Sequence, residues 1–295
     1  MSARLPLSVI VIARDEEDRL PRALASVAWA DEIVVVDSGS RDATCEVARR
    51  AGARVIVRAW AGYSAQKAFA ADQAAHDWIL WLDADEEVSP ALRAAIEGAL
   101  ARQAEGGARC DAYQVNRRTE YLGRYLRFGG WYPDRKVRLF RRDRAAFDGR
   151  RVHESVRVAG PVGRLRGELL HHSFRDFAHH VAKTHELARL WAEEREGRRV
   201  RAGDLLFHPL AKGLKSYLWQ GGILEGWRGL LLAGMGGYSV WLKYALLRAR
   251  QGEEVGRGGA APGARQGEEA GRGRAAPGAR HAGRGAQGRE SEDVH

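Results

Sequence analysis

Four short apolar runs open the chain, at residues 8–13 (SVIVIA), 32–37 (EIVVVD), 53–57 (ARVIV) and 78–82 (WILWL). Each has the length of a strand and none alternates apolar with polar, the pattern of strands buried on both faces of a sheet. Helical spacing fills the gaps. Leu20, Leu24 and Val27 recur at three- and four-residue steps, with Pro21 placed where a first turn accepts it. Helices are predicted over 44–51 and 64–75 as well, and Ser89 with Pro90 supplies an N-cap and first-turn pair for a fourth helix reaching residue 100. Strands alternating with helices predict right-handed βαβ units and a parallel sheet.

The pattern then changes. Short strands are predicted at 112–116, at 137–141, just before residue 152 and at 168–174, as a mixed or antiparallel extension of the sheet. Residues 121–134 between the first two are rich in aromatics, arginine and glycine and read as a long binding loop. A helix follows over 176–196. Leucine-rich segments then run from 205 to 247, punctuated by Trp219, Trp227, Tyr238, Trp241 and Tyr244. Their longest uncharged stretch, 229–242, is shorter than the roughly 20 residues a bilayer-spanning helix needs. Lys212, Lys215, Arg228, Lys243 and Arg248 flank it, which predicts amphipathic helices lying in a membrane surface, against the plainer alternative of a helical cap on the sheet. From residue 251 the chain repeats itself, QGEEVGRGGAAPGAR being followed by QGEEAGRGRAAPGAR. Gly and Pro are dense there and apolar side chains beyond Ala are few, so a disordered tail is expected.

Composition narrows the partners. Of 295 residues, 45% are hydrophobic, enough for a sizeable core, and the formal net charge is +10. Arginines and acids balance in the tail, so the excess lies in the folded part, much of it between Arg117 and Arg166. Such a surface suits nucleotide phosphates, anionic headgroups or nucleic acid. Cys45 and Cys110 form neither a disulfide framework nor a metal-ligand spacing, which fits a reducing compartment, and the amino terminus lacks a signal-peptide layout.

The chemistry is signalled by strand ends. The second strand ends in Asp37 and the fourth in Asp83, Ala84, Asp85 and Glu86. In a parallel sheet those ends share one edge, where open α/β sheets bind ligands. A carboxylate at the first position can accept hydrogen bonds from a base or ribose, and a pair spaced i, i+2 can hold a hard divalent cation that also grips phosphate oxygens. Together they point to a nucleoside-diphosphate ligand. A nucleotidyltransferase would place a Gly-rich basic loop after the first strand, where this chain has the acidic Arg14-Asp-Glu-Glu17. A nucleic-acid-binding protein would explain the charge but would leave two acid-ended strands facing phosphate, so no nucleic acid is expected.

In order along residues 5–248, the segments VIVIARDEE (9–17), ADEIVVVDSGSRD (30–42), Gln66-Lys67, WLDADE (81–86), GGWYPD (129–134), RLFRR (138–142) and Val152-His-Glu154 resemble the family 2 glycosyltransferases, most closely their lipopolysaccharide core-biosynthesis subgroup. The subgroup usually carries Asn where Asp15 and Ala68 stand. The resemblance implies an inverting, metal-dependent transfer from a nucleotide-sugar, a UDP-hexose, to a glycolipid or polyprenyl-linked acceptor. It implies a GT-A fold: a Rossmann-like mixed sheet flanked by helices. The catalytic domain would span 1–175, with a nucleotide-sugar half over about 1–105 and an acceptor half over 106–175. A membrane-associating helical region would occupy 176–250 and the tail 251–295. By the same resemblance Asp37 contacts the uracil or ribose with Glu16 nearby, Asp83 contacts ribose or metal, and Asp85 holds Mg²⁺ or Mn²⁺. Lys67 and Arg138 face the leaving group, and Asp134 is the general base. His153 or His171 completes the metal site, Glu154 lies beside it or acts as an alternative base, and Trp131 stacks on a sugar. The location implied is the inner face of the cytoplasmic membrane, peripherally bound.

Overall fold

A computed structural model describes residues 4–107, 109–149, 155–195 and 197–258 of the chain. The first part follows the apolar runs closely. Strand β1 (Leu7–Ala13), helix α1 (Leu20–Ser26), β2 (Glu32–Asp37), α2 (Thr44–Arg50), β3 (Arg54–Val57), α3 (Tyr63–Asp72) and β4 (Trp78–Asp83) succeed one another. Strands β3, β2, β1 and β4 lie side by side and parallel, in that order. Alternate residues of each strand feed opposite faces, as the pleat requires. Val9, Val11, Leu80 and Leu82 join Leu20, Leu24, Leu92 and Ile96 in one buried cluster, while Ile10, Val34, Val36, Ile79 and Trp81 join Ala70 and Ala71 of α3 in another. Burial on both faces of β1, β2 and β4 explains why these three read as continuous apolar runs, while β3 at the sheet edge is only partly covered.

Two residues after β4 the chain enters β5 (Glu86–Val88), and then α4 (Pro90–Ala104). Ser89 caps α4, its hydroxyl accepting from the Leu92 amide at 3.3 Å, with Pro90 in the first turn as expected. The second part of the strand region is β6 (Ala112–Tyr121), β7 (Arg124–Tyr125), β8 (Asp134–Arg141), β9 (Ala145–Phe147), β10 (Val156–Val158) and β11 (Val162–His171). Strand β6 runs five residues beyond the 112–116 segment that its alternation marks, and the 121–134 stretch contains β7, which pairs back on β6. The sheet continues from β4 through β8, β6 and β11 to β5, with both antiparallel and parallel pairs. Since β4 and β5 are joined by Ala84 and Asp85 alone, three Cα steps of at most about 11 Å separate the middle of the sheet from its far edge. The sheet must therefore curl until β11 and β5 close over the carboxyl end of β4. Asp85 sits in that closure.

Helix α5 (Phe177–Glu193) is capped by Asp176, which accepts from the His179 amide at 2.7 Å. Helix α6 (Ala202–Leu214) passes into a π-helical turn at Lys215–Trp219 and a 3₁₀ turn at Gly222–Glu225. Helix α7 (Trp227–Gly258) then runs unbroken, and over Trp227–Gln251 it is long and apolar enough to cross a bilayer by length and composition. One side of it, carrying Leu232, Ala233, Met235, Leu242, Tyr244 and Leu247, is buried. Residues up to Glu254 form one compact unit, and a second begins at Val255. Of the repeat tail read from residue 251, the part beyond Gly258 lies outside the described residues.

Candidate active site

The parallel strands bring the expected acids to one rim. Ala13 of β1 pairs with Asp37 and Ile12 with Asp83, so the two carboxyl ends stand level on either side of β1. Asp37 is buried and shapes its own turn, accepting from the amides of Gly39 and Ser40 at 2.9 Å each and from the Ser40 hydroxyl. Gly39 has φ +85°, a left-handed conformation that glycine takes without strain. The Cys45 thiol also leans on Asp37, and burial followed by that negative charge pushes the thiol's pKa up. A thiol is a weak donor, so a stronger ligand donor can replace it.

Asp15 locks this turn to the loop after β1. Its amide donates to the Ser40 hydroxyl at 2.9 Å and its carboxylate accepts from the Arg41 amide at 2.8 Å. Its φ of +54° is one that a short polar side chain tolerates. Next to it Glu16 points at Arg19, whose Nε lies 2.6 Å away and whose Nη1 reaches Asp85 at 3.5 Å. Burial raises the Glu16 pKa despite that partner. Arg19 was not singled out in the sequence, where it reads as one more exposed arginine at a helix start.

Asp83 and its neighbours form a buried charge cluster. Lys67 of α3 approaches Asp83 to 3.2 Å, Arg138 of β8 to 2.8 Å, and the Trp81 indole donates to it at 3.0 Å. Both cations also lie 3.9 Å from the Trp81 ring centroid, within cation–π range. Lys67 and Arg138 are each only 2% exposed, so unpaired they would carry a large desolvation cost. Burial pushes the Asp83 carboxyl upward, but Lys67 and Arg138 outweigh it and hold the pKa well below the usual range. Glu86, on the other side of Arg138 at 2.5 Å, accepts from the Asp83 amide at 3.0 Å, and burial holds its pKa up. The structure thus places Lys67 against Asp83, and Arg138 between Asp83 and Glu86.

Asp85 is differently placed. Its carboxylate is 3.5 Å from His171 Nε2 at the end of β11, and His171 in turn meets the hydroxyls of Thr119 at 3.3 Å and Ser173 at 2.7 Å. Burial opposes ionisation of Asp85, while the His171 contact and the charge of Lys183 favour it, bringing its pKa down to about 2. Asp85 is therefore an anion at neutral pH. Among the described residues no group of three or more His, Cys, Asp or Glu could cage a metal. Mg²⁺ is typically held by one or two carboxylates together with substrate phosphates, so Asp85 with His171 fits a cation that arrives with a diphosphate. His153 and Glu154 lie outside the described residues.

Asp134 begins β8. One of its oxygens is 2.9 Å from Arg117 Nε and the other 3.3 Å from Lys136. Burial raises its pKa, but Arg117 and Lys136 prevail and the carboxyl stays below its ordinary value. Trp131 is half-buried and packs edge-on against Phe174 at 6.3 Å, with Tyr121 and Leu232 in the same cluster. His172, which the sequence reading passed over, lies 2.6 Å from Glu120 and lines a small cleft with Asp18, Arg19, Arg22 and Asp85. A larger cavity, of about 490 Å³, lies off the acidic rim, between Pro6, Trp78, Cys110 and Arg141.

The model of the family "Glycosyl transferase family 2" matches residues 8–154. The lipopolysaccharide core biosynthesis glycosyltransferase LpsC of Rhizobium meliloti (strain 1021) is 32% identical over 267 residues, covering 83% of this chain and 96% of that protein. An uncharacterized glycosyltransferase of Rickettsia typhi is 39% identical over 135 residues, 45% of this chain and 42% of that one. Among solved structures, S. aureus TarS 1-349 in complex with UDP-GlcNAc aligns with a TM-score of 0.44 at 16% identity, covering 84% of this chain and 92% of that one. The chain belongs to glycosyltransferase family 2, in its lipopolysaccharide core-biosynthesis subgroup, and is a glycosyltransferase with a GT-A fold.

Proposed function

We propose that the enzyme transfers a hexosyl group, with inversion, from a UDP-sugar to a glycolipid acceptor at the inner face of the cytoplasmic membrane. The observation that carries this reading is the convergence of Asp37, Asp83 and Asp85 on one rim, closed over by the end of β11. On this reading Asp37 and the turn it shapes receive the uracil and ribose, with Glu16 and Arg19 beside them. Asp85, with His171 adjacent, would hold a divalent cation, which would offset the charge that grows on the departing nucleoside diphosphate. Asp83 fixes Lys67 and Arg138, so that their positive field is preorganised at the leaving-group end rather than assembled during reaction. The acceptor oxygen attacks the anomeric carbon as the bond from that carbon to the diphosphate oxygen breaks. The hydroxyl proton passes to Asp134, which is ionised and shares one oxygen with the half-exposed Lys136.

The reading is tested by incubating the protein with UDP-hexoses, Mn²⁺ and extracted lipid and measuring UDP release. Release that requires lipid and cation is expected. No release with any UDP-hexose would remove the donor assignment.

A further inference from the structure

The region least explained by sugar transfer is the apolar ridge between α6 and the start of α7. Leu210, Leu214 and Leu218 follow one another at four-residue steps through α6 and the π turn, all more than half exposed. Phe207 is 68% exposed, Trp219 90%, and Trp227 stands clear at the head of α7. A contiguous patch of this kind on a folded surface marks an interaction site.

Its charge says what it meets. From residue 205 to 251 the sequence carries Lys212, Lys215, Arg228, Lys243, Arg248 and Arg250, and one acid, Glu225. Glu225 is 2% exposed and turned inward, leaving Lys212 and Lys215 exposed on the segment that carries the ridge, Lys212 on the side along α7. A second copy of the same surface would set like charges against each other. An anionic lipid surface would satisfy both the apolar and the basic side chains, with tryptophans at the headgroup level.

Glu225 also ties this ridge to the 121–134 loop, the acceptor loop on the proposed reading. It accepts from the amides of Arg127 at 2.7 Å and Phe128 at 3.1 Å. The Gly129 amide donates to the Gln220 carbonyl and the Ser216 hydroxyl to the Gly129 carbonyl, both at 2.8 Å, and Arg228 Nε donates to the Leu122 carbonyl at 3.0 Å. The glycine pair is required there: Gly129 and Gly130 have φ of +75° and +82°, and a Cβ on Gly130 would meet the Gln220 side chain.

We infer that residues 206–230 form a lipid-docking arm that lies in an anionic membrane surface and holds the acceptor loop against it. The inference rests on the reading that the acceptor is membrane-borne, but its test involves no sugar transfer. The full chain is sedimented with vesicles of phosphatidylcholine, alone or mixed with phosphatidylglycerol. Binding to the mixed vesicles is expected, weakened by salt. Phe207→Ser with Trp219→Ser should lower the partition at least about tenfold, given the apolar area removed. Leu214→Ser with Leu218→Ser serves as a second pair, thermal melts check the fold of both, and Val162→Ser, on another part of the surface, should bind as the parent does. A parent protein that stays in the supernatant, or paired variants that pellet undiminished, would overturn the inference. So would a parent dimer that the same substitutions dissociate while no form binds vesicles. Vesicle binding without UDP release would leave the docking arm standing and remove the UDP-hexose donor assignment instead.

Discussion

Asp83 and Asp85 stand two residues apart at the end of one strand and meet opposite surroundings. Asp83 pairs with two buried cations, so its contribution is structural as much as chemical. Replacing it by Asn leaves Lys67 and Arg138 with less negative charge in a dry site, and a loss of about 3–5 kcal/mol is expected from breaking a buried pair. Thermal unfolding of Asp83→Asn against the parent checks this, and an unchanged melting temperature would deny the cluster its structural role. The proposed mechanism makes Asp134 the general base, so its replacement by Asn should lower kcat by about 10²–10⁴-fold with the donor KM little changed, read from initial rates at saturating lipid. A loss confined to KM would make it a binding residue. Neither the Asp83 cluster nor Arg19 was legible in the sequence. Lys67 and Arg138 could be marked as cations near a diphosphate, but their partners depend on which strands become neighbours.

At the scale of elements the hydrophobic pattern was an accurate guide wherever both faces of a strand are buried. The runs at 8–13, 32–37 and 78–82 became β1, β2 and β4 within a residue at either end. It guided less well in the second half, where β6, β8 and β11 carry charged residues that pair across the curl, such as Arg117 with Asp134 and Arg118 with Glu168. Charge pairing hides a strand from a reading based on apolar periodicity. Helix α5 offers a test of how its buried face is held. His180 is buried against Tyr121, whose hydroxyl is 3.0 Å from His180 Nδ1, and burial brings its pKa down to about 4. The unfolded chain takes up a proton near pH 6.5 that the folded chain refuses, so stability is full above about 6.5 and falls as pH drops towards about 4. The loss over that window should approach about 3 kcal/mol, and His180→Gln should flatten it. Below it Asp85 acts in the same direction, its depressed pKa making its contribution disappear as pH falls from about 4 to about 2. Urea unfolding at a series of pH values measures this. Parallel curves for parent and His180→Gln would exclude His180 as the source.

For the molecule as a whole, the curl of the sheet is what brings β11 and β5 over the acidic rim at the carboxyl end of β4. The acid-ended strands were visible in the sequence because each strand end is a local feature. The closure was not, because it follows from a two-residue link between β4 and β5 and from the pairing of β5 with β11, which no local pattern announces. His171 reaches Asp85 only through that closure, and Glu225 reaches the 121–134 loop only through the packing of residues 215–230 against it. The most direct measurement of the central claim is calorimetric titration of UDP into the parent protein and Asp85→Asn, each with and without Mn²⁺. The account predicts that Mn²⁺ strengthens UDP binding to the parent at least about tenfold and that Asp85→Asn abolishes this enhancement while remaining folded. An equal Mn²⁺ enhancement in Asp85→Asn, or UDP binding to the parent indifferent to the cation, would contradict it.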